Sequence, residues 1–333
     1  MTTASLTPSP TPTAADTSPT PVPRGTHRSV LRLHRTTLWA ALALTVLALA
    51  VTGYLRLAHE GRPGLIRLLG LSNADDLLHT YLQRGSVALL FVPLAVAAFT
   101  AGPLVARELE AGLHKFAWTQ GDSPARWLGA RLTVAAVLAV AAGLAVLAVF
   151  WVGGSGLVHA VGDSLYLGWS DGPVYAATGP VAVAYCLLAA AVGALAGLLV
   201  RRTLLAMSAA GAVTGAVLWL LSSVRWDLFP VRTATGSSAR ERANWFPGDV
   251  PADNYVMDQG VTNAAGERFA PGQCLPDHPA PSCPADTRVV EAWADFHPRS
   301  HFWYVQLIET GIVLALAAAA VYAGFWLLRR RTP

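Results

Sequence analysis

Long apolar segments alternate with short polar ones along most of the chain after residue 37. A helix needs about 20 residues to cross ~30 Å of hydrocarbon. The hydrophobic pattern therefore predicts six membrane-spanning helices, at approximately 38–55, 86–106, 128–152, 174–200, 203–224 and 302–328. The fourth and fifth are separated only by Arg201 and Arg202. This pair is therefore predicted to form a tight antiparallel hairpin.

The composition agrees with a membrane protein and argues against an ordinary soluble domain. Of the 333 residues, 53% are hydrophobic and only 13% are charged, whereas a soluble domain carries about 25% charged residues. The net charge of +4 is small, and the basic residues lie in short clusters at the ends of apolar segments. Such clusters suit phospholipid head groups and argue against nucleic acid as a partner. We therefore predict an all-α integral membrane protein.

Two segments outside the apolar stretches have a character of their own. Residues 1–23 are mostly Thr, Ser, Pro and Ala, a composition that predicts a disordered tail. Residues 225–301 are rich in Pro, Gly, Asp and Asn, and they predict a small loop domain between the last two spans. The predicted division of the chain is thus 1–23, 24–224, 225–301 and 302–333.

The basic residues of the short loops predict which helix ends face the cytoplasm. Counting six spans puts four basic clusters on one side, at 24–35, 107–126, 201–202 and 329–331. Residues 56–85 disagree, because they carry four arginines and yet would face outward. The balance still predicts cytoplasmic N and C termini and an extracytoplasmic loop domain.

Two of the three cysteines, Cys274 and Cys283, lie in the predicted outer loop, separated by eight residues. Such a pair is most simply a disulfide, and closing so small a loop would stabilise it by roughly 2–3 kcal/mol. The alternative is a zinc site formed with the nearby histidines His278, His297 and His301. Their spacing fits no compact zinc motif, so no metal and no cofactor are predicted. Cys186 lies within the fourth span and is predicted to be a packing residue.

The connection between the second and third spans carries a mixed pattern of apolar and charged residues. Leu109, Leu113 and Phe116 recur at the spacing of one helix face, which predicts a short amphipathic helix at the cytoplasmic surface. The sequence Asp-Ser-Pro at 122–124 predicts the cap and first turn of the next helix. The pattern fits an ordinary interfacial helix, and it fits equally a surface that a cytoplasmic partner contacts.

Two strings of residues resemble type-2 ABC exporter permeases of actinobacteria. The first is similar to the signature loop of that family and reads AGPLVARELEAGLHKFAWTQ at 101–120, followed by ARW at 125–127. The second, at the start of the last span, reads DFHPRSHFWYVQLIETG at 295–311. The layout is similar as well, with a basic segment before six spans and a long outer loop between the last two.

The resemblance implies a transmembrane subunit of the bacterial cell membrane that pairs with itself or a relative and binds separate ABC ATPase subunits. It implies that the second-to-third connection relays ATPase movements to the spans, through Arg107, Glu108, Glu110, Lys115, Trp118, Gln120 and Arg126. Lys115 is the only lysine and lacks the Gly-rich lead of a Walker A loop. ATP hydrolysis is therefore expected on another polypeptide, and no catalytic residue is predicted in this chain.

Glu309 is the clearest ionisable residue inside a predicted span. It lies seven residues past Phe302, about 10 Å into the helix at 1.5 Å per residue. A carboxylate in hydrocarbon costs several kcal/mol unless it is paired or protonated. Two interpretations are open: a role in a substrate pathway or in gating, and structural pairing with water or with a partner such as Arg299.

Two other classes of function compete with transport. One is a membrane module that transmits a signal or force without passing substrate. The other is a membrane-embedded enzyme, because Ser155 and His159 lie in a Gly-rich turn; however, a serine protease would need its histidine on another span. Few polar residues are available for a substrate path, which favours a lipid-like or amphipathic substrate; the candidates are Thr178, Tyr185, Ser208, Thr214 and Glu309.

Overall fold

Six helices of the described chain are long and apolar enough to cross a membrane, as the hydrophobic pattern predicts. The computed structural model describes residues 35–60, 74–113, 119, 123–155, 157–158, 167–237, 247, 250, 253–270, 272, 274–275, 278–279 and 283–331. The predicted tail and the basic segment before Arg35 lie outside the described residues. The spans are Leu38–His59, Asp76–Glu110, Pro124–Gly154, Val181–Val200, Thr203–Leu228 and His301–Arg331.

The helices are α1 (Arg35–His59), α2 (Ala74–Leu89), α3 (Val92–Val96), α4 (Gly102–Glu110), α5 (Pro124–Gly154), α6 (Gly172–Thr178), α7 (Val181–Val200), α8 (Thr203–Val224) and α9 (His301–Arg331). The predicted second span, 86–106, is therefore too short. The hydrophobic pattern does not identify its first turns as helix, because α2 is amphipathic and carries several polar residues. Leu78 and Leu82 of α2 are nevertheless buried, so this helix is packed into the bundle.

The second span is irregular where α2, α3 and α4 meet. Pro93 lies in the first turn of α3, where its missing N–H is tolerated but a continuous helix from α2 is not. A π-helical turn, Ala97–Ala101, then joins α3 to α4. Such turns insert one extra residue into a helix and shift the side chains that follow. The irregularity thus sets the orientation of α4 independently of α2.

Helix α7 lies at the centre of the bundle. Within its most apolar stretch of 18 residues, 67% of the residues are buried. Its residues are mostly small or apolar, which allows neighbouring helices to approach closely. A Cβ added to Gly197 would lie 3.0 Å from the backbone nitrogen of Ala106 on α4. One added to Gly143 of α5 would lie 2.7 Å from the Cα of Val183. These close contacts are made within one chain.

The predicted fourth span, 174–200, is interrupted between α6 and α7. Gly179 is extended and Pro180 has no N–H to donate. Gln306 of α9 fills the gap: its amide oxygen lies 3.4 Å from the nitrogen of Val181, and its amide nitrogen donates to the Tyr175 carbonyl at 2.8 Å. Hydrocarbon offers no water to hydrogen-bond these backbone groups. The interruption between α6 and α7 is therefore stabilised by Gln306.

The two ends of the bundle differ. At one end, which we call the loop end, the end of α4 meets the start of α8, and Arg331 at the end of α9 donates to the carbonyl of Leu198 at 2.9 Å. At the other end, which we call the sheet end, Arg56 near the end of α1 reaches the carbonyl of Gly153 at 3.5 Å. The segment between α8 and α9 emerges at the sheet end.

That segment folds around a four-stranded antiparallel sheet, which the sequence analysis did not predict. The strands are β1 (Arg232–Ser237), β2 (Tyr255–Thr262), β3 (Arg268–Phe269), β4 (Cys274–Leu275), β5 (His278–Pro279) and β6 (Glu291–His297). The order of strands in the sheet is β1-β6-β2-β3, and a separate hairpin pairs β4 with β5. Cys274 and Cys283 form a disulfide with their Cα atoms 5.6 Å apart, which closes the segment containing the hairpin.

Aromatic side chains connect the sheet to the spans. The ring of Trp226, just after α8, lies 4.8 Å from that of Tyr255 on β2 and 5.5 Å from that of Tyr175 on α6. Trp169 donates from Nε1 to the Asp253 carbonyl at 2.6 Å. Large aromatic contacts of this kind add to the stabilisation from buried area. The sheet is thus packed directly onto the bundle.

His297 ends β6 at this junction and is fully buried. Its Nε2 lies 2.9 Å from the Trp226 carbonyl oxygen, so Nε2 carries the proton. Its Nδ1 lies 3.1 Å from Nδ1 of His301, which then donates. Burial lowers the pKa of His297 below its ordinary value. The folded protein therefore favours the neutral imidazole.

Gly179→Ala is expected to destabilise the protein by roughly 1–3 kcal/mol or more. The added Cβ would lie 2.2 Å from the Gln306 side chain, which is held by both sides of the helix break. Thermal unfolding of the purified protein in mild detergent measures the effect. Gly211→Ala is the matched control, since a Cβ there meets nothing within 4 Å. Equal midpoints for the two variants would contradict the role of Gln306.

The His297 imidazole predicts a pH-dependent stability. Folding lowers the pKa of His297, so as the pH falls below about 6.5 this residue is protonated in the unfolded chain before it is protonated in the folded protein. The free energy of unfolding therefore decreases as the pH falls from about 6.5 to the pKa of His297 in the folded protein. His297→Gln keeps a side-chain N–H donor without a charge. The midpoint of this variant should fall by about 2–4 °C less than that of the wild type between about pH 7.5 and 5. His79→Gln on α2 serves as control, and an unchanged slope in His297→Gln would refute the assignment.

Candidate functional site

Polar side chains join α4 to α5 at the loop end. The Glu108 carboxylate accepts from Nε1 of Trp127 at 2.9 Å and from Nη2 of Arg131 at 2.7 Å. Arg131 also donates to the Trp127 carbonyl at 3.1 Å, and its guanidinium lies 4.7 Å from the Trp127 ring centre. Trp127 and Arg131 are both buried. These three residues therefore hold the last turn of α4 against the first turns of α5.

A second contact joins α4 to α8. Glu110, the last residue of α4, accepts a hydrogen bond from the backbone nitrogen of Thr203 at 2.9 Å, and another from the Thr203 hydroxyl. Thr203 is the first residue of α8, where backbone N–H groups lack partners within the helix. A carboxylate at this position also interacts favourably with the helix dipole. Glu110 thus fixes the start of the fifth span to the end of the second.

Of the residues predicted to contact an ATPase, Arg107, Glu108, Glu110 and Arg126 are described, and Lys115, Trp118 and Gln120 lie outside the described residues. Arg107 and Arg126 are exposed, whereas the two carboxylates bind groups of the same chain. The predicted helix through Leu109 and Leu113 is interrupted, since α4 ends at Glu110 and Gly112 has a left-handed φ of 71°.

The predicted cap of the third span is confirmed. Ser123 precedes α5, and its hydroxyl accepts from the backbone nitrogen of Arg126 at 3.3 Å. Pro124 occupies the first helical position, where a missing N–H costs nothing. The connection from α4 to α5 therefore ends at a defined residue, held next to the Glu108 contacts.

A second polar group lies inside the spans. The Glu309 carboxylate of α9 accepts from Arg225 through Nε at 2.8 Å and Nη2 at 3.1 Å, and from the Tyr185 hydroxyl of α7 at 2.6 Å. The Arg225 guanidinium also lies 4.1 Å from the ring centre of Tyr175 on α6. All four residues are at most 2% exposed. Four elements of the bundle therefore meet at one buried ion pair.

The structure pairs Glu309 with Arg225, whereas the sequence analysis named Arg299 as an example of a partner. Arg299 is exposed, and no ion pair joins it to another described residue. Arg225 falls in the predicted outer loop domain, 225–301, because it follows the last apolar residue of the predicted fifth span. A 3₁₀ turn, Arg225–Leu228, instead continues the helix and turns the guanidinium inward. The geometry favours structural pairing for Glu309.

Several residues that form the polar contacts between helices are not among the candidates predicted from the sequence. Arg131 had a usable signal, because a charged residue inside an apolar segment needs a partner. It also follows Trp127 by four residues, which puts both on one helix face. Tyr175 and Gln306 had no local signal, since the hydrogen bond that joins them connects residues 131 positions apart in the chain.

The polar candidates for a substrate path are largely engaged. The hydroxyls of Thr178 and Ser208 donate to carbonyls of their own helices at 2.9 and 3.0 Å, and Tyr185 binds Glu309. Thr214 is buried without a hydrogen-bond partner among the described residues. For the alternative chemistries, Ser155 caps the end of α5 and His159 lies outside the described residues. The disulfide uses the two outer thiols considered for zinc.

A double-mutant cycle tests the buried ion pair. Glu309→Gln or Arg225→Met alone leaves one buried charge without its counter-charge and should cost about 3–5 kcal/mol. The double variant leaves no charge and should recover most of that loss. Unfolding in mild detergent or lipid nanodiscs gives the free energies. Arg268→Met, at the half-exposed pair with Asp295, should cost less than about 1 kcal/mol. Additive losses in the double variant would exclude a coupled pair.

A comparison with known protein families supports a membrane transport role for this chain. Residues 69–225 match the family model described as ABC-2 membrane transporter related. No curated protein and no solved structure matches the chain. The matched region runs from before α2 to the Arg225 turn and includes the contacts of Glu108 and Glu110. It confirms the resemblance to ABC-2-type permeases. Residues 69–225, just under half of the chain, are thus similar to the ABC-2 membrane transporter related family.

Proposed function

We propose that this chain is the permease subunit of an ATP-driven exporter and that a separate ABC ATPase subunit drives it through the connection between α4 and α5. The family match supports the permease role. The observation that carries the coupling is the network of Glu108, Trp127 and Arg131. It holds the two ends of the connection together, so a force on the connection reaches both spans.

The Glu110 contact extends this coupling to a third span. Because Glu110 holds α8 and Glu108 holds α5, a displacement at the loop end moves the second, third and fifth spans together. Helix α7 lies between these helices and α9, with mostly small side chains at its contacts. Close-packed interiors transmit displacements because they have few voids to absorb them. The proposed relay therefore needs no flexible element within the spans.

The proposed partner contact lies on the connection between α4 and α5. Arg107 and Arg126 supply positive charge at the two ends of the connection, and Lys115, Trp118 and Gln120 complete the proposed surface. Glu108 and Glu110 act by positioning, since their carboxylates are engaged within the chain. A surface with three basic side chains is complementary to an acidic groove on the ATPase.

The proposed orientation puts the loop end in the cytoplasm of a bacterial cell and the sheet outside. The basic residues 201–202 and 329–331 flank the loop end, as the positive-inside rule requires. The disulfide at the sheet end suits an oxidising compartment. The permease is proposed to act as a pair with a second copy or a relative, surrounded by lipid.

A force- or signal-transmitting module is the second candidate function. The contacts of Trp226 and Trp169 join the sheet to the spans, as transmission of an outside event to the loop end would require. The two candidates differ in whether substrate crosses the membrane. Transport of labelled amphiphiles into inverted vesicles distinguishes them, since only the exporter accumulates substrate when ATP is added.

Co-purification tests the proposed coupling. The chain is expressed with its candidate ATPase, extracted in mild detergent, and assayed for bound ATPase and ATP hydrolysis. Arg107→Glu with Arg126→Glu should reduce the bound ATPase by at least about tenfold, because two favourable charge contacts become repulsive. Glu108→Gln should keep more of the ATPase bound than the double arginine variant does. It should weaken the dependence of ATP hydrolysis on the permease, because it loosens α4 from α5.

The matched control is Arg329→Glu with Arg330→Glu, which makes the same charge change at the end of α9. It should retain the ATPase. If both double variants lost the same amount of bound ATPase, the effect would come from the overall charge of the chain. The connection would then be rejected as the contact. Purification of the wild-type chain without any ATPase would remove the proposed energy source.

A further inference from the structure

A large cavity lies at the sheet end between the third and sixth spans. Its volume is about 920 Å³, within the range of about 300–1,000 Å³ that is usual for small-molecule sites. It is lined by the last turns of α5, the end of α6 and the first turn of α9. It does not include Glu309, and it is remote from the loop end.

The walls of the cavity are mainly apolar and aromatic. Phe150 and Phe302 line its interior. Trp151 and Trp303 also line it and are 71% and 57% exposed, so they stand at its mouth on the outer surface of the bundle. Tryptophan prefers the head-group level of a bilayer. The mouth therefore lies where the acyl chains of a leaflet meet its head groups.

Arg299 gives the cavity a positive charge. It lies in the turn before α9 and lines the cavity together with Ser300. Within the described chain no carboxylate forms an ion pair with Arg299, and no carboxylate is among the lining residues. The start of α9 adds the positive end of a helix dipole. The polar side of the cavity therefore complements an anion.

We propose that this cavity binds a phospholipid with a net negative head group from the leaflet at the sheet end. The phosphate contacts Arg299 and Ser300, and an acyl chain lies against the aromatic walls. Binding requires neither ATP nor a partner subunit. The site is therefore independent of the proposed ATPase coupling, and either proposal can fail without the other.

Tryptophan quenching by brominated lipids tests the site on the full-length chain in mild detergent. Phosphatidylglycerol with brominated acyl chains should quench more strongly than brominated phosphatidylcholine at equal concentration. Arg299→Gln should weaken phosphatidylglycerol binding by about tenfold, the usual effect of one charge-assisted hydrogen bond, and leave phosphatidylcholine unchanged. Arg299→Lys should retain the preference. Ala148→Phe, which fills the cavity from α5, should weaken binding of both lipids.

The controls separate this cavity from general lipid adhesion. Arg288→Gln removes a charge from an exposed side chain at the sheet end that pairs locally with Asp286, and it should bind like the wild type. Trp303→Phe should lower the quenching, which assigns the signal to the mouth. Inorganic phosphate alone should not displace the lipid. Equal binding of the two lipids by the wild type, unchanged binding by Arg299→Gln, or full displacement by phosphate would overturn the proposal.

Discussion

Hydrocarbon contains no water, so a polar group within the spans is costly unless it finds a partner inside the protein. This constraint explains the least expected features of the bundle. Glu309 and Arg225 neutralise each other, and Tyr185 satisfies a further lone pair. Gln306 supplies the hydrogen bonds lost where α6 and α7 separate. These four residues come from the fourth, fifth and sixth spans, so their contacts determine which helices lie side by side. Small residues such as Gly197 determine how closely the helices approach.

Charged side chains at the loop end also bind partners within the chain, although water is available there. Glu108 and Glu110 carry charges at a water-exposed boundary where solvent would satisfy them, yet both bind groups of neighbouring spans. A carboxylate on Trp127 and Arg131 is harder to displace than a hydrated one, because its partners are themselves buried. The connection from α4 to α5 is thereby anchored on rigid helices. In the proposed coupling, a force on the connection therefore acts on spans whose ends are joined to one another.

The number and order of spans, the cap at Ser123 and the similarity to ABC-2-type permeases were predictable because each follows from a local pattern. Length and hydropathy suffice for a span, and one residue type at one position suffices for a cap. The start of the second span was missed because α2 mixes polar and apolar residues while packing against other helices. The partner of Glu309 was missed because pairing depends on tertiary proximity, and Arg225 lies 84 residues away. The sheet was missed because its strands are separated by Pro- and Gly-rich segments.

The β1–β6 pairing has a consequence for how the spans move relative to one another. Only three residues separate Leu228 from β1, and three separate β6 from α9. The two strands pair along six residue positions, and the Arg225–Glu309 contact lies nearby, so α8 and α9 are clamped together at that end. The two helices are therefore hinged at the sheet. Any rearrangement that separates the fifth and sixth spans must begin at the loop end of the bundle.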